Sequence, residues 1–121
     1  MVRTYTIAMA TRLRRKIFSS DLAREYFISI LPIALLGENT EVTDTVFRDD
    51  GVILCVRGEE VDPDYVASVI RHRTSGRMRD SFEELFKMPS LWTKRVYSHA
   101  GKISDVPDGE IEEYYKSIRT R

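Results

Sequence analysis

The chain has 121 residues, of which 42% are hydrophobic and 31% charged, and its 19 basic and 19 acidic side chains leave no formal net charge. This composition fits one globular domain and excludes both a disordered chain and a uniformly basic, histone-like protein, while leaving room for a local basic face. A single cysteine, Cys55, excludes an internal disulfide framework and a cysteine-built zinc site, and two histidines, His72 and His99, are too few for an all-histidine metal cage.

The length matches a single domain spanning residues 1–121. No apolar run reaches the ~18 residues of a membrane-spanning helix. The N-terminus also lacks the apolar core of a signal peptide. The expected location is cytoplasmic, with no membrane partner.

Tyr5, Ile7 and Met9 alternate with Thr4, Thr6 and Ala8, which predicts a strand over Thr4 to Ala10. A basic knot follows, Arg12-Leu13-Arg14-Arg15-Lys16. Ser19, Ser20 and Asp21 are N-cap residues for a helix whose stripe is Leu22, Tyr26, Phe27, Ile30, Leu31 and Ala34. Pro32 is expected to kink or end it, because proline lacks the N–H and crowds the preceding turn. Thr40 to Arg48 is rich in β-branched residues and predicts a strand. Asp50-Gly51 reads as a two-residue hairpin turn, leading into the apolar strand Val52 to Val56.

Asp62-Pro63 is an N-cap followed by proline at the first helical position, with Tyr65, Val66, Val69 and Ile70 as the apolar stripe. Ser81 and Glu84 have the spacing of a capping box for a short helix carrying Phe82, Leu85 and Phe86. Trp92 to Ala100 predicts a fourth strand. Pro107-Asp108 opens a last helix striped with Ile111, Tyr114, Tyr115 and Ile118. The order is that of an α+β domain, and it resembles a ferredoxin-like antiparallel sheet with helices packed on one face.

Two arginine-rich sets stand out. Arg12, Arg14, Arg15 and Lys16 form one, and Arg71, His72, Arg73, Arg77 and Arg79 form the other. A neutral chain with charge segregated in this way can still offer phosphates a basic surface. Neither histidine has a partner at metal-ligand spacing, and no glycine-rich phosphate loop is present. Tyr114 and Tyr115 are potential nucleophiles only if a base or metal activates them, and tyrosines on an apolar stripe usually pack.

Four segments, in order, resemble the insertion-sequence-200-like transposases, small HUH-type single-tyrosine enzymes that move DNA as single strands. Thr11-Arg12-Leu13-Arg14-Arg15-Lys16-Ile17-Phe18 is similar to the family's Thr-Lys-Tyr-Arg-Arg-x-Val-Phe. Arg73-Thr74-Ser75-Gly76-Arg77-Met78-Arg79 is similar to its second basic segment. Ser90-Leu91-Trp92-Thr93-Lys94 with Ala100-Gly101-Lys102-Ile103-Ser104 is similar to its tryptophan strand and the stretch beyond. Ile111-Glu112-Glu113-Tyr114-Tyr115 is similar to its tyrosine helix. The resemblance implies an antiparallel sheet, a homodimer, and single-stranded or hairpin DNA as partner. It also implies phosphate contacts from Arg12, Arg14, Arg15, Lys16, Arg73, Arg77 and Arg79. In the family, two strand histidines and a helix glutamine hold a divalent ion such as magnesium, and the tyrosine attacks the scissile phosphate.

Here Gly51 and Ile53 stand at the histidine positions and Ile118 at the glutamine position. The expectation is therefore a transposase-like DNA-binding protein with no metal or other cofactor and no cleavage, in which Tyr114 is a vestigial nucleophile. Two alternatives stand beside it. One is an active enzyme with a site rearranged around His99, and the other is a structural or regulatory dimer without nucleic acid. If the ligand positions have become apolar, Ile53 should pack against the face carrying Tyr114 and Ile118.

Overall fold

The computed structural model describes residues 1–118, so the last three positions of the expected domain lie outside the described residues. Four strands, β1 (Val2–Thr11), β2 (Thr40–Arg48), β3 (Gly51–Glu59) and β4 (Trp92–Ala100), form one antiparallel sheet in the order β2-β3-β1-β4. Helices α1 (Asp21–Ala34), α2 (Pro63–Ser81) and α3 (Glu110–Lys116) pack against it. The strand order is that of two interleaved βαβ units, the ferredoxin-like arrangement expected from the element order.

Side chains alternate across β1 and β3, so each strand feeds two cores. Ile7, Met9, Val52, Leu54 and Val56 face α1 and α2 and join Phe18, Phe27, Ile30, Leu31, Val66, Ile70, Met78 and Trp92. Ala8, Ala10 and Ile53 face the other way and join Tyr114, Tyr115 and Ile118 of the C-terminal segment. The helices are thus split: α1 and α2 share one face, and α3 alone caps the other. Six consecutive buried residues, Gly51 to Val56, are the signature of this double-sided strand.

Local chemistry sets most element ends. The Ser20 hydroxyl accepts from the Ala23 amide and starts α1, and the Asp62 carboxylate accepts from the Asp64 amide to start α2. Pro32 falls within the last turn of α1, which ends at Ala34. Three expectations are corrected. The hairpin loop is Asp49-Asp50, since Arg48 pairs with Gly51, and neither aspartate has positive φ. Ser81 ends α2 rather than capping a new helix, and a 3-10 turn over Glu83–Leu85 follows with no side-chain cap. The last helix starts at Glu110, after Gly109 at φ 82°, and not at Pro107-Asp108.

Candidate functional site

The basic knot is a strained turn. Leu13 and Arg14 both adopt left-handed backbone, at φ 57° and 54°, a conformation that costs an L-residue roughly 1–2 kcal/mol. The turn is held from three sides. The buried Thr11 hydroxyl donates to the Arg15 carbonyl at 2.6 Å, the Thr11 amide donates to the Asp50 carbonyl at 2.9 Å, and the Arg12 amide donates to the Leu91 carbonyl at 2.8 Å. Its geometry folds Arg14 back onto Asp50 at 3.0 Å and leaves Arg12, Arg15 and Lys16 exposed.

The second basic set divides in the same way. Arg73 donates to the Ala34 carbonyl at 2.8 Å and pairs with Glu38 at 3.2 Å, tying α2 to the end of α1. Arg79 donates to the Met88 carbonyl at 3.0 Å. Arg77 is exposed on the outer side of α2. The segment Met88–Leu91 joins the two sets. Arg12 donates to the Ser90 hydroxyl at 3.2 Å from one side, and the Ser75 hydroxyl accepts from the Leu91 amide at 3.1 Å from the other. Lys94, exposed at the start of β4, and Lys87, beside the 68%-exposed Phe86, add positive charge on the segments flanking Met88–Leu91, whereas Arg95 lies on the α3 side with Tyr97 and Tyr114. The sequence reading did not single out these four residues as contacts. Trp92 is unavailable for stacking: it is buried among Phe18 and Phe27, and its indole N–H donates to the Thr74 hydroxyl at 3.0 Å.

Beneath α3 the histidine and glutamine positions of the resemblance meet as expected, and they are closed. Ile53, Tyr114, Tyr115 and Ile118 form one buried cluster. A Cβ on Gly51 would stand 2.3 Å from the Met9 carbonyl oxygen and 2.7 Å from the Tyr115 ring and hydroxyl. The glycine is therefore required by the Met9 carbonyl of the neighbouring strand and by the tyrosine lying over it. Tyr115 donates to the Met9 carbonyl at 2.8 Å, with the Val52 carbonyl 3.2 Å away.

Tyr114 fills a gap in the sheet. Met9 pairs with Val96 and Thr11 with Trp92, so Ala10 alone opposes the three residues 93–95. The Tyr114 hydroxyl enters there, accepting from the Ala10 amide at 3.2 Å and donating to the Arg95 carbonyl at 2.6 Å. It replaces the missing rung of the ladder. Burial pushes both hydroxyls toward higher pKa, Tyr115 more than Tyr114, and for Tyr114 it outweighs the Ala10 amide and the nearby arginines, which favour the ionised form.

A charged strip closes the rim. Asp50, at the hairpin tip, accepts from Arg14 at 3.0 Å and from Arg48 at 3.1 Å, and Arg48 also donates to Glu112. The Arg48 guanidinium lies 4.0 Å from the centre of the Tyr115 ring, a cation–π contact. Glycine and isoleucine offer no lone pairs, and the volume is filled by Tyr115 and Ile118. The residues at this place do not fit a divalent ion. Among the described residues, no group of three or more His, Cys, Asp or Glu side chains converges as a metal site. His99 stands across β1 from Cys55, beside Thr6, with its Nδ1 buried and unpartnered.

No family model and no curated protein matches the chain in sequence. Solved structures match it in shape. The crystal structure of a "putative transposase" from Deinococcus radiodurans superposes with a TM-score of 0.82 at 18% identity, covering 100% of this chain and 94% of that one. The REP-associated tyrosine transposase bound to a REP hairpin superposes with a TM-score of 0.50 at 16% identity, covering 96% of this chain and 62% of that one. The chain has the fold of these transposase structures, and the insertion-sequence-200-like resemblance is met at that level. No helix of the described residues is long and apolar enough to cross a membrane.

Proposed function

We propose that this chain is a transposase-like protein that binds single-stranded or hairpin DNA as a homodimer and does not cleave it. The observation that carries the reading is the meeting of the two basic sets across Met88–Leu91. Arg12, Arg15 and Lys16 on the knot and Arg77 on the outer side of α2 are exposed and free to neutralise phosphates, and Phe86 is exposed for a base to stack on. The fold shared with a hairpin-bound tyrosine transposase supports the class of ligand. The lack of cleavage is inferred from Tyr114, whose oxygen is engaged on both sides by backbone, and from apolar residues where metal ligands would be needed. The homodimer is supported by β2 and β4, which are sheet edges in this chain.

A labelled hairpin oligonucleotide titrated at several salt concentrations tests binding, and the affinity should fall steeply as salt rises. Denaturing gels with magnesium or manganese test cleavage. A covalent DNA adduct that disappears in Tyr114→Phe would overturn the non-cleaving part. Absence of binding at low salt would overturn the whole. Light scattering should return twice the chain mass, and a monomer at micromolar concentration would remove the dimer.

A further inference from the structure

A cleft of about 760 Å3 opens on the sheet face that carries α3, beyond the rows the helix covers. It exists because α3 has seven residues and reaches only the rows of Ala8 and Ile53. Two and four residues along β3, Cys55 and Arg57 face the same way. Thr4 of β1 pairs with Arg57, so these residues form the floor. The β2 bulge at Thr43 and Asp44 makes one wall, and the turn after β4 makes the other with Lys102 and Ile103. The volume lies within the ~300–1,000 Å3 of small-ligand sites.

The lining is rich in donors. Arg57 and Lys102 line it from different elements, together with the Thr4 and Ser104 hydroxyls, the Thr43 hydroxyl, which donates to the Cys55 carbonyl, and the single carboxylate of Asp44. Arg57 has one weak competitor, Glu41 at 4.0 Å, in a pair whose side chains are 54% and 68% exposed. Such a pair holds a guanidinium loosely. A phosphate accepts from a guanidinium fork and an ammonium at once. Asp44 suits an amino or hydroxyl group at the other end of the ligand. Ile103 and the aliphatic stems of Arg57 and Lys102 offer an apolar surface for a ring.

We propose that this cleft binds a nucleoside monophosphate, either free or as the 5′-terminal unit of a DNA strand. It shares no residue with the arginine surface, so it stands or falls independently of hairpin binding. Cys55, the one cysteine of the chain, lies on its floor at 4% exposure and reports its occupancy. The test alkylates the full-length protein with iodoacetamide in the presence of dTMP, thymidine, inorganic phosphate, or an oligonucleotide with or without a 5′-phosphate. At about four times its dissociation constant, dTMP should slow alkylation about fivefold, in proportion to the open fraction. Thymidine should not protect, and Arg57→Ala with Lys102→Ala should abolish protection without weakening hairpin binding. Stronger protection by the 5′-phosphorylated oligonucleotide than by dTMP assigns the site to a strand end, and the reverse assigns it to the free nucleotide. Amide NMR shifts of Thr4, Arg57 and Lys102 give the same reading without relying on thiol reactivity. Unchanged shifts with millimolar dTMP, or protection that survives in the double variant, would overturn the proposal.

Discussion

A phenol that attacks a phosphate needs a base to take its proton and an oxygen lone pair aimed at phosphorus. The Tyr114 hydroxyl instead donates its proton to the Arg95 carbonyl and accepts from the Ala10 amide, and burial holds that proton on. Tyr114→Phe should therefore behave as a stability mutation. Two backbone groups lose their partner, and each buried unsatisfied group costs ~1–3 kcal/mol. Urea unfolding should show a loss of about 2–6 kcal/mol for the two together, while hairpin affinity stays at the wild-type value. Asp50 makes a second residue-scale case. Burial alone would raise its pKa, but the hydrogen bonds and charges of Arg14 and Arg48 outweigh it and hold the carboxyl below its ordinary value. The folded pKa is the lower one, so the stability it supplies is present above about pH 4 and is lost as pH falls through the folded value. The stability gap between wild type and Asp50→Asn should accordingly narrow between about pH 5 and pH 2. A gap that stays constant in urea titrations across that range would mean the ion pairs contribute nothing.

At the scale of elements, two glycines make opposite forecasts. Gly76 lies inside α2, and a Cβ there would meet nothing within 4 Å. Gly76→Ala should stabilise the protein by ~0.5–1 kcal/mol, through helix propensity and a less flexible unfolded chain. Gly109, just before α3, also has open space but sits at φ 82°. Gly109→Ala should destabilise by ~1–2 kcal/mol, because an L-residue is strained there. Thermal melts of both variants check the pair.

The elements themselves were largely legible in the sequence. Strands β2 and β4 have the bounds their composition suggested, the cap of α2 was readable as Asp62, and that of α1 is Ser20, one of three adjacent candidates. The contact of Ile53 with Tyr114 and Ile118 was implied by the family resemblance, which brings the two surfaces together, with a period of two on the strand and of about four on the helix choosing the residues. The tertiary reasons for local choices were not legible. Asp-Gly looked like a turn because glycine favours positive φ, whereas Gly51 is paired within the sheet and leaves room for the Met9 carbonyl and for Tyr115. The split of the arginines was equally hidden. Charge can be read from residue type, but the carbonyl that Arg73 or Arg79 will meet depends on where α1 and Met88 end up.

For the whole molecule, that split sorts one arginine-rich sequence into exposed side chains and side chains tied to the fold. Replacing Arg12, Arg15, Lys16 and Arg77 with alanine should cut hairpin affinity and flatten its salt dependence, since each lost phosphate contact removes about one unit from the salt slope. Replacing Arg14, Arg73 and Arg79 should instead lower unfolding stability, because these three hold the hairpin tip, the end of α1 and the Met88 segment. Fluorescence anisotropy and urea titration on both variants separate the two outcomes. Equal effects of the two sets on affinity would erase the distinction.

The glycine under Tyr115 has a consequence for substitution. Even the first atom of any side chain at position 51 collides with the Met9 carbonyl of the neighbouring strand and with the Tyr115 ring and hydroxyl. A histidine at 51 thus needs both the C-terminal helix and the β1 backbone to give way, and a histidine at 53 would enter the apolar cluster shared with Ile118. Two strands and a helix constrain this position together, so a metal-binding strand cannot be installed here by one substitution at a time.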